Sequence, residues 1–506
     1  MDNNKFGLKN IIKKTVIILL WLVLWQIICW IVDNPIFFAG PIEVIKELAV
    51  MSGSRKFVDA VLYSVLRITG GFCIAFFLAC LLAVLAYRFT LLEELFKPFV
   101  SFIKSVPVAS VVVVLLIWFG AKNLSLYVTF MVVFPNIYIN ALTGLKNTDR
   151  QLLEMAEVFR FSFYKRLLYI FIPAVMPYLI SGAGISVGMS FKSGVAAEVI
   201  GLPLHSIGEQ LYNEKIYLNT AGVFAWTVVI ICLSSLIEWL VVTLLGHMGN
   251  KKRLPVRKKS KQSPTQDRTQ EDCIIDLEKI HRTRTDILLE DVTVQFEDKK
   301  VLDHMNLELK DGNIYCVMGA SGCGKTTLLR MCAGLQIPSA GNVLWNIVSS
   351  DNVVSDKSEK LHKKHRLAES GSIEKNIPDC SKIGMVFQED RLCMHCPALT
   401  NIFLTADDRY TKEEILDLLQ EILPPEAFYK QTEQLSGGMR RRLAVARAVL
   451  SDADCLLLDE PFTGLDEANH ERVLQWILRN RNGRLLVITT HDETDAGKME
   501  ASVIKF

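Results

Sequence analysis

Long apolar runs fill the first half of the chain, and only short polar segments separate them between residues 15 and 246. The second half alternates short apolar and polar stretches, as soluble α/β domains do. Crossing a bilayer core takes roughly 20 apolar helical residues. The pattern predicts six membrane-spanning helices, at about residues 15–32, 60–86, 98–119, 124–145, 167–190 and 220–246.

Charged residues at the two ends of the apolar half predict its orientation. A cluster of lysines precedes the first run, and a basic segment at 251–261 follows the last one. Basic residues that flank spans favour the cytoplasmic side, so we expect both chain ends in the cytoplasm. Counting across the spans then places 88–97 and 146–166 in the cytoplasm, and 33–59 and 191–219 outside.

The charge balance limits the possible partners. Lys and Arg number 56 against 54 Asp and Glu, which gives no reason to expect a nucleic acid. The basic segment 251–261 instead predicts contact with anionic lipid head groups. Charged groups in or near spans are costly in lipid and often mark a transport pathway; here they are Arg67, Lys192, Glu198 and Glu238. For Arg67 and Lys192 the alternative is that the side chain extends to the interface.

Composition divides the chain into three parts. Residues 1–249 form a membrane domain, 250–285 form a basic polar linker, and 286–506 form a soluble domain. Within the soluble domain, the polar stretch 346–380 has a composition that cannot support a core. We therefore expect an insertion on the surface there.

The stretch CVMGASGCGKTTLL carries the clearest chemistry of the soluble domain. It follows a strand-like run at 314–318, opens a helix-like run and fits the pattern G-x-x-x-x-G-K-[ST]. In such a loop, backbone N–H groups wrap phosphate oxygens, the lysine reaches the outer phosphates, and the hydroxyl can bind Mg²⁺. The predicted nucleotide-binding residues are Gly319, Ala320, Ser321, Gly322, Cys323, Gly324, Lys325, Thr326 and Thr327.

Two further stretches complement this loop. DCLLLDEP is typical of a buried strand, and it ends in Asp459, which would hold Mg²⁺, and Glu460, which would polarise an attacking water. Taken alone, the acid pair could be a helix cap. EQLSGGMRRRLAVARA places Ser436, Gly437 and Gly438 at the start of an Arg-rich helix, where free N–H groups suit an anion. A plain turn would have the same pattern.

Together, the three motifs resemble the nucleotide-binding domain of ABC transporters, an α/β P-loop ATPase with a helical subdomain. The resemblance runs from about residue 288 to the C-terminus and implies ATP and Mg²⁺ as cofactors. It implies that Phe296 stacks on adenine, that Gln388 and His491 sense the γ-phosphate, and that Gln388 joins Thr326 and Asp459 around the metal.

Two details of the soluble domain depart from the commonest pattern. Met439 follows the signature glycines where Gln is most frequent, and this form is usual in the group that binds nitrate, sulfonates and taurine. Cys393 and Cys396 have the spacing of a metal or redox pair. No second pair lies near them in the sequence, so coincidence is the favoured interpretation.

A charged stretch at 149–166 interrupts the apolar half of the chain. Leu153, Ala156 and Phe159 share one helical face, which predicts docking in a groove with the charges at its rim. The alternative is a helix that lies on the lipid surface.

The same stretch resembles the cytoplasmic loop by which ABC importers couple membrane and ATPase parts. Glu154-Met155-Ala156 matches the start of that pattern, Ile170 to Pro173 matches its end, and Arg160 stands where the family has glycine. FFAGPIEVIKEL and FKSGVAAEVIGLP also resemble permeases of the nitrate, sulfonate and taurine group. The resemblance implies an all-α, type I importer-like permease of six helices, followed by the ATPase.

The resemblance also implies a half-transporter, because each ATP would lie between the phosphate loop of one domain and Ser436–Gly438 of another. We therefore expect a homodimer, or a heterodimer with a similar chain, in the bacterial plasma membrane, together with an extracytoplasmic solute-binding protein. The expected activity is ATP-driven uptake of a small solute such as a sulfonate, nitrate, taurine or a thiamine-type pyrimidine. An ABC exporter, disfavoured by the short loops, and a non-transporting regulatory membrane ATPase are the alternatives.

Overall fold

The structure, a computed structural model, describes residues 2–32, 34, 36–249, 284–296, 299–348 and 382–506. The chain forms two compact units. The helical unit contains residues up to Thr148 and the helices from Ile172 to Gly249, and the α/β unit contains Asp149–Phe171 and the described residues from Arg284 onward. The charged stretch at 149–171 therefore belongs to the α/β unit, although it lies between two helices of the other unit in the sequence.

Helices account for most of the first 249 residues. In chain order they are α1 (Asp2–Val32), α2 (Pro41–Ser52), α3 (Arg55–Arg88), α4 (Thr90–Ser105), α5 (Val108–Phe119), α6 (Leu124–Lys146), α7 (Arg150–Val158), α8 (Phe163–Arg166), a π-helical turn (Leu167–Phe171), α9 (Ile172–Gly201), α10 (Ile207–Ile216) and α11 (Thr220–Gly249).

Small residues let α3, α6 and α9 pack closely at the centre of the helical unit. A Cβ atom at Gly71 of α3 would lie 2.5 Å from the carbonyl oxygen of Leu126 in α6. At Gly194 of α9, a Cβ atom would lie 2.8 Å from the side chain of Ile68 in α3. Glycine at these positions allows the close backbone approach that drives helix association in membranes.

Five of the described helices are long and apolar enough to cross a membrane, and a sixth span is formed only if α4 and α5 are counted together. The predicted third span at 98–119 is not one continuous helix, because α4 and α5 meet at an angle of 102°. Pro107 lacks an N–H group and disfavours helical backbone at the preceding residue. Val106 accordingly has extended backbone, with φ −73° and ψ 130°.

The two segments predicted as outward loops contain helices. Segment 33–59 includes α2, and segment 191–219 includes the end of α9 and all of α10. Ser206 caps α10 by accepting the N–H of Glu209 at 3.0 Å. Glu198, which lies beyond the predicted span 167–190, belongs to α9 and is fully buried, and the Ser64 hydroxyl donates to its Oε2 at 2.7 Å.

The α/β unit contains two sheets. Its strands are β1 (Arg284–Phe296), β2 (Lys299–Leu309), β3 (Ile314–Met318), β4 (Ala340–Val348), β5 (Ile383–Val386), β6 (Cys455–Asp459), β7 (Leu485–Thr489) and β8 (Ser502–Lys505). One sheet is antiparallel with the order β2-β1-β4, and the other is parallel with the order β5-β6-β7-β3-β8. Every residue of β6 and β7 is buried, which is typical of parallel strands covered on both faces.

Helices cover the parallel sheet and extend into a helical region. They are α12 (Lys325–Cys332), α13 (Ala398–Phe403), α14 (Lys412–Gln420), α15 (Gly437–Val449), α16 (Glu467–Asn480) and α17 (Glu493–Lys498). The predicted fold class, an all-α membrane part followed by an α/β P-loop part, is confirmed. The predicted linker 250–285 and insertion 346–380 lie outside the described residues, except that residues 284–285 begin β1 and 346–348 end β4.

Candidate functional site

The predicted chemistry gathers at one edge of the parallel sheet. The phosphate loop follows β3, and Gln388 follows β5. Asp459 ends β6 and Glu460 follows it, and His491 follows β7. The carboxyl ends of parallel strands meet at the same edge, so four motifs that are distant in sequence become neighbours. This edge of the sheet is the candidate nucleotide site.

The phosphate loop has the backbone that its glycines permit. Gly322 and Gly324 have φ angles of 81° and 114°, a region that other residues rarely adopt. The second of these glycines leads directly into α12, whose N-terminal N–H groups can meet an anion. Lys325 is almost fully buried, and its ammonium donates to the carbonyl oxygens of Gly319 at 2.6 Å and Ala320 at 3.2 Å. The loop therefore already surrounds a positive charge.

Asp459 presents one satisfied and one unsatisfied oxygen. Its Oδ1 accepts the Thr489 hydroxyl at 2.8 Å, whereas its Oδ2 is buried with no hydrogen-bond partner among the described residues. Burial raises the pKa of the Asp459 carboxyl, and the hydrogen bond from Thr489 and the nearby Thr326 hydroxyl oppose that rise. A buried carboxylate oxygen beside a threonine hydroxyl is a donor set that a hard divalent cation prefers.

Glu460 has an unusual backbone conformation. Its φ angle is +47°, a left-handed value that is uncommon outside glycine and clusters at functional sites. The Thr489 hydroxyl accepts the Glu460 N–H at 2.8 Å. On the side chain, Nε2 of His491 lies 2.9 Å from Oε1, and the Thr463 hydroxyl donates to Oε2 at 3.3 Å. These contacts hold the carboxylate in one orientation beside Asp459.

Arg441 is a residue of this edge that the sequence analysis missed. It lies on α15, is 3% exposed, and donates to main-chain carbonyls on two neighbouring strand ends. A signal was present in the sequence, since Ala444, Val445 and Ala448 follow at helical spacing and mark a buried face. An arginine on that face must find acceptors inside the protein.

The remaining predicted residues lie apart from the phosphate loop. Ser436 caps α15 and accepts the N–H of Met439 at 3.3 Å, and both Ser436 and Gly437 are exposed. Phe296 ends β1 with 47% of its surface exposed. No hydrogen bond among the described residues joins Ser436–Gly438 or Phe296 to the loop at 319–327.

A second cluster of charged side chains joins α7 to the rest of the α/β unit. Glu154 accepts hydrogen bonds from Arg330 at 3.1 Å and Arg391 at 2.9 Å. Burial would raise the pKa of the Glu154 carboxyl, but the hydrogen bonds from the two arginines together outweigh burial and lower this pKa. The carboxylate is thus the anionic centre of a mostly buried ion-pair cluster.

Apolar residues of the same stretch complete the contact. Met155, Ala156, Val158 and Phe161 are buried in a cluster with residues of β1, β3, β5 and β6, and Leu153 and Phe159 pack against it. The Lys165 ammonium donates to the carbonyl of Leu404 at 2.7 Å. We call the surface that receives α7 the docking groove, and its walls include Arg330, Arg391 and Leu404.

Arg160 ends α7 in the conformation that a glycine would adopt easily. Its φ angle is +50°, and the next residue, Phe161, donates its N–H to the carbonyl of Ala156 at 2.8 Å. This reverse bond is the one that closes helices through a left-handed residue. The turn typical of glycine at this position therefore forms with arginine.

The two cysteines at 393 and 396 lie buried beside the docking groove. Both belong to the apolar cluster that receives α7, and the Cys396 N–H donates to the carbonyl of Cys393 at 3.0 Å. Asn401 accepts the Cys393 N–H at 2.8 Å and donates to its carbonyl at 3.2 Å. The pair thus forms part of the packing of this turn.

Comparison with known families divides the chain in the same way. Residues 71–245 match the binding-protein-dependent transport system inner membrane component family, and residues 302–463 match the ABC transporter family. The two matched regions follow each other on one polypeptide.

Individual relatives match the ATPase half. The chain is 35% identical over 211 residues to the lipoprotein-releasing system ATP-binding protein LolD of Francisella tularensis subsp. tularensis (strain FSC 198), covering 40% of this chain and 84% of LolD. It is 34% identical over 225 residues to the methionine import ATP-binding protein MetN of Lactobacillus johnsonii, covering 43% of this chain and 60% of MetN. The solved dimeric structure of MJ0796, a bacterial ABC transporter cassette, is 28% identical with a TM-score of 0.34, covering 43% of this chain and 94% of that one.

The family matches explain both halves of the molecule. The apolar helices and the match at 71–245 identify a multi-pass membrane permease, and the P-loop sheet with the match at 302–463 identifies an ATP-binding, ATP-hydrolysing domain. This chain therefore belongs to the ABC transporter family, with permease and ATPase fused on one polypeptide.

Proposed function

We propose that this chain is half of an ATP-driven importer, which receives a small solute from an extracytoplasmic binding protein. The inward direction of transport rests on the match of residues 71–245 to an inner membrane component of binding-protein-dependent transport. The importer-like stretch at 149–166 also supports import, because Glu154 and the apolar side of α7 contact the remainder of the α/β unit. In this proposal α7 is the coupling helix.

ATP would lie along the phosphate loop. Backbone N–H groups of 319–327 would bind its phosphate oxygens, as they do at the start of helices in this kind of loop. Lys325 would exchange its two carbonyl contacts for the outer phosphates, which offer full negative charge instead of carbonyl dipoles. Phe296, half exposed at the end of β1, would stack on adenine.

The same edge would hold Mg²⁺. The unpartnered Oδ2 of Asp459 and the Thr326 hydroxyl supply hard oxygen donors, and Gln388 at the end of the neighbouring strand would add an amide oxygen. When bound, Mg²⁺ neutralises charge on the β- and γ-phosphate oxygens.

Glu460 would orient the water that attacks the γ-phosphate and accept a hydrogen bond from it. His491 lies within hydrogen-bond distance of Glu460, at 2.9 Å, and would both hold this carboxylate and face the γ-phosphate. Gln388 would sense the same phosphate from β5. Such positioning and electrostatic groups supply most of the catalysis in phosphoryl transfer to water.

A complete site would require a second chain. The exposed Ser436 and Gly437 present N–H groups at the start of α15, and no hydrogen bond among the described residues joins them to the phosphate loop of their own chain. We therefore propose a homodimer, or a pair with a similar chain, in which each ATP lies between two chains. The mass of the detergent-solubilised Glu460→Gln variant with ATP should be that of two chains, and a fully active monomer would contradict this assembly.

The proposed cargo is a small anionic or heteroaromatic solute. The LSGGM form of the signature and the permease segments resemble the nitrate, sulfonate and taurine group, which includes carriers of thiamine-type pyrimidines. Both chain ends would face the cytoplasm of a bacterial plasma membrane, since basic residues flank the first and last spans.

Reconstitution in liposomes tests direction and cargo together. Vesicles with the ATPase side outward are loaded with candidate binding proteins and labelled solutes. Import predicts that a loaded binding protein in the lumen stimulates hydrolysis and that its solute leaves the lumen. Accumulation of solute inside the vesicles without a binding protein would show export, and hydrolysis without any flux would favour the regulatory ATPase.

A further inference from the structure

Arg441 is the most constrained charged residue near the nucleotide edge that the proposed function leaves without a role. One of its terminal nitrogens donates to the carbonyl of Phe387 at 2.7 Å and lies 3.3 Å from the carbonyl of Gln388 and from Oδ1 of Asp390. The other donates to the carbonyls of Asp459 at 2.7 Å and Glu460 at 2.6 Å. A single guanidinium thus joins the ends of β5 and β6.

These contacts matter because of the backbone at Glu460. A left-handed residue other than glycine costs about 1–2 kcal/mol and persists only where its surroundings fix it. The Thr489 hydroxyl accepts the N–H of Glu460. Arg441 holds the carbonyl of the preceding residue, Asp459, and the carbonyl of Glu460 itself. The direction of the carboxylate follows from that backbone.

The planar shape of the guanidinium suits this position. It offers donors in fixed directions, so two carbonyls on each side can be held at once. A lysine has a compact ammonium on a flexible stem and would satisfy one strand end at a time. The neighbouring Asp390 carboxylate partly balances the buried positive charge.

We propose that Arg441 is a positioning residue for hydrolysis: it holds the main chain on both sides of Glu460 and ties it to the strand end that carries Gln388. This inference rests on the proposed role of Glu460. Arg441 acts through those two residues and touches no part of the phosphate loop among its contacts. Its removal should therefore slow the chemical step and leave the binding of ATP nearly unchanged.

The test compares Arg441→Gln, Arg441→Lys and Arg484→Gln in the full-length protein in detergent. Turnover is expressed per nucleotide site titrated with a fluorescent ATP analogue, so that misfolded molecules do not count. We expect Arg441→Gln to lower kcat at least 10-fold while KM for ATP stays within 3-fold, since a small misplacement of a catalytic group costs up to about 100-fold. Arg441→Lys should recover part of the lost kcat.

Arg484→Gln is the matched control. Arg484 is 3% exposed, like Arg441, and donates to the main-chain carbonyls of Val449 at 2.7 Å and Asn480 at 3.0 Å. It directly precedes β7, at the end of that strand opposite the nucleotide edge. The kcat per site of this variant should stay within 3-fold of wild type. If Arg484→Gln lost as much turnover as Arg441→Gln, the effect would follow from the loss of any buried arginine and the proposal would be wrong.

A parallel Glu460→Gln variant separates this inference from the assignment of the glutamate. If Glu460→Gln is inactive and Arg441→Gln keeps kcat within 3-fold of wild type, the role of Arg441 is refuted alone. If Glu460→Gln itself turns over normally, the assignment of Glu460 fails first. If Arg441→Gln loses kcat and ATP affinity equally, Arg441 is merely structural and the proposal is wrong. If Arg441→Gln yields no titratable sites, the same comparison of kcat with ATP affinity is made in Arg441→Lys.

Discussion

Replacing Glu154 by alanine should loosen α7 from the docking groove. The Glu154 side chain is 15% exposed, and its partners Arg391 and Arg330 are 7% and 25% exposed. Alanine would leave both guanidinium groups without this acceptor in a mostly desolvated place. The helix itself would be unaffected, because alanine has the highest helix propensity.

The size of the effect follows from the burial of the three groups. Breaking a buried ion pair costs about 3–5 kcal/mol, and an exposed pair contributes about 0–1 kcal/mol. Arg330 is partly hydrated, so we expect Glu154→Ala to cost about 2–4 kcal/mol of docking free energy. At 1.4 kcal/mol for each factor of ten, the ratio of docked to undocked α7 should fall roughly 30- to 700-fold.

Hydrogen exchange measures this ratio directly. Amides of the peptide covering residues 150–161 exchange when α7 opens, so their protection should fall by the same factor in Glu154→Ala, while peptides of β6 and β7 stay unchanged. The matched control is Arg150→Gln, because Arg150 pairs with the same carboxylate at 3.7 Å but is 88% exposed. The control should change protection by less than about threefold, since exposed pairs contribute little.

The pH dependence has a definite sign. The folded-state pKa of Glu154 is lowered, so its stabilising contribution is complete above the unfolded pKa of about 4.3 and is lost as pH falls through the folded value. After correction for intrinsic exchange, the difference between wild type and Glu154→Ala should be constant from about pH 6 to 8. Equal protection in wild type and Glu154→Ala, or a difference that disappears within that range, would refute the ion-pair account of docking.

Substitutions at three other positions test the nucleotide edge and the end of α7. Glu460→Gln should keep ATP binding but lower kcat at least about 100-fold, the loss typical when one preorganised catalytic group is removed. Hydrolysis near the wild-type rate would refute the assignment of Glu460. Lys325→Ala should weaken ATP binding at least tenfold, measured by titration with a fluorescent analogue, and unchanged affinity would contradict the role of its ammonium. Arg160→Gly should leave the melting temperature unchanged or slightly raised, because relief of about 1–2 kcal/mol of left-handed strain offsets the flexibility of glycine; Arg160→Val should lower it, and an equal melting temperature for both variants would show that the turn tolerates any residue.

The sequence was most informative where a motif fixes its own backbone. The loop at 319–327 carries glycines that only one kind of turn requires, and the carboxylates at 459 and 460 end a continuous apolar strand. Once a parallel sheet is assumed, the rule that strand ends meet at one edge brings Gln388 and His491 to the same place. This part of the candidate site could therefore be predicted without tertiary information.

The parts that could not be predicted depend on contacts between distant residues. Glu198 was one of several charged residues in or near the predicted spans, and the sequence did not show that it is fully buried with the Ser64 hydroxyl of another helix donating to its Oε2. Arg441 lies in a run of three arginines, and the sequence alone does not show which of them is buried. Its acceptors are the carbonyls of Phe387, 54 residues earlier, and of Asp459, 18 residues later. The bend at Pro107 had a local signal, but the apolar run around it concealed the break.

The docking groove and the nucleotide edge share one short segment, residues 387–391. At its far end, the Arg391 side chain binds Glu154 of α7, and the Arg391 carbonyl accepts a hydrogen bond from Arg447 at 2.8 Å. Arg447 also lies over the ring of Phe159, with 4.9 Å to the centroid, so α15 contacts the stretch at 149–166 directly. At the near end, Arg441 of the same helix holds the carbonyl of Phe387 and the carbonyl of Glu460. Because these contacts form one continuous network, we expect a displacement of α7 either to break these bonds or to carry with it α15 and the main chain beside Glu460.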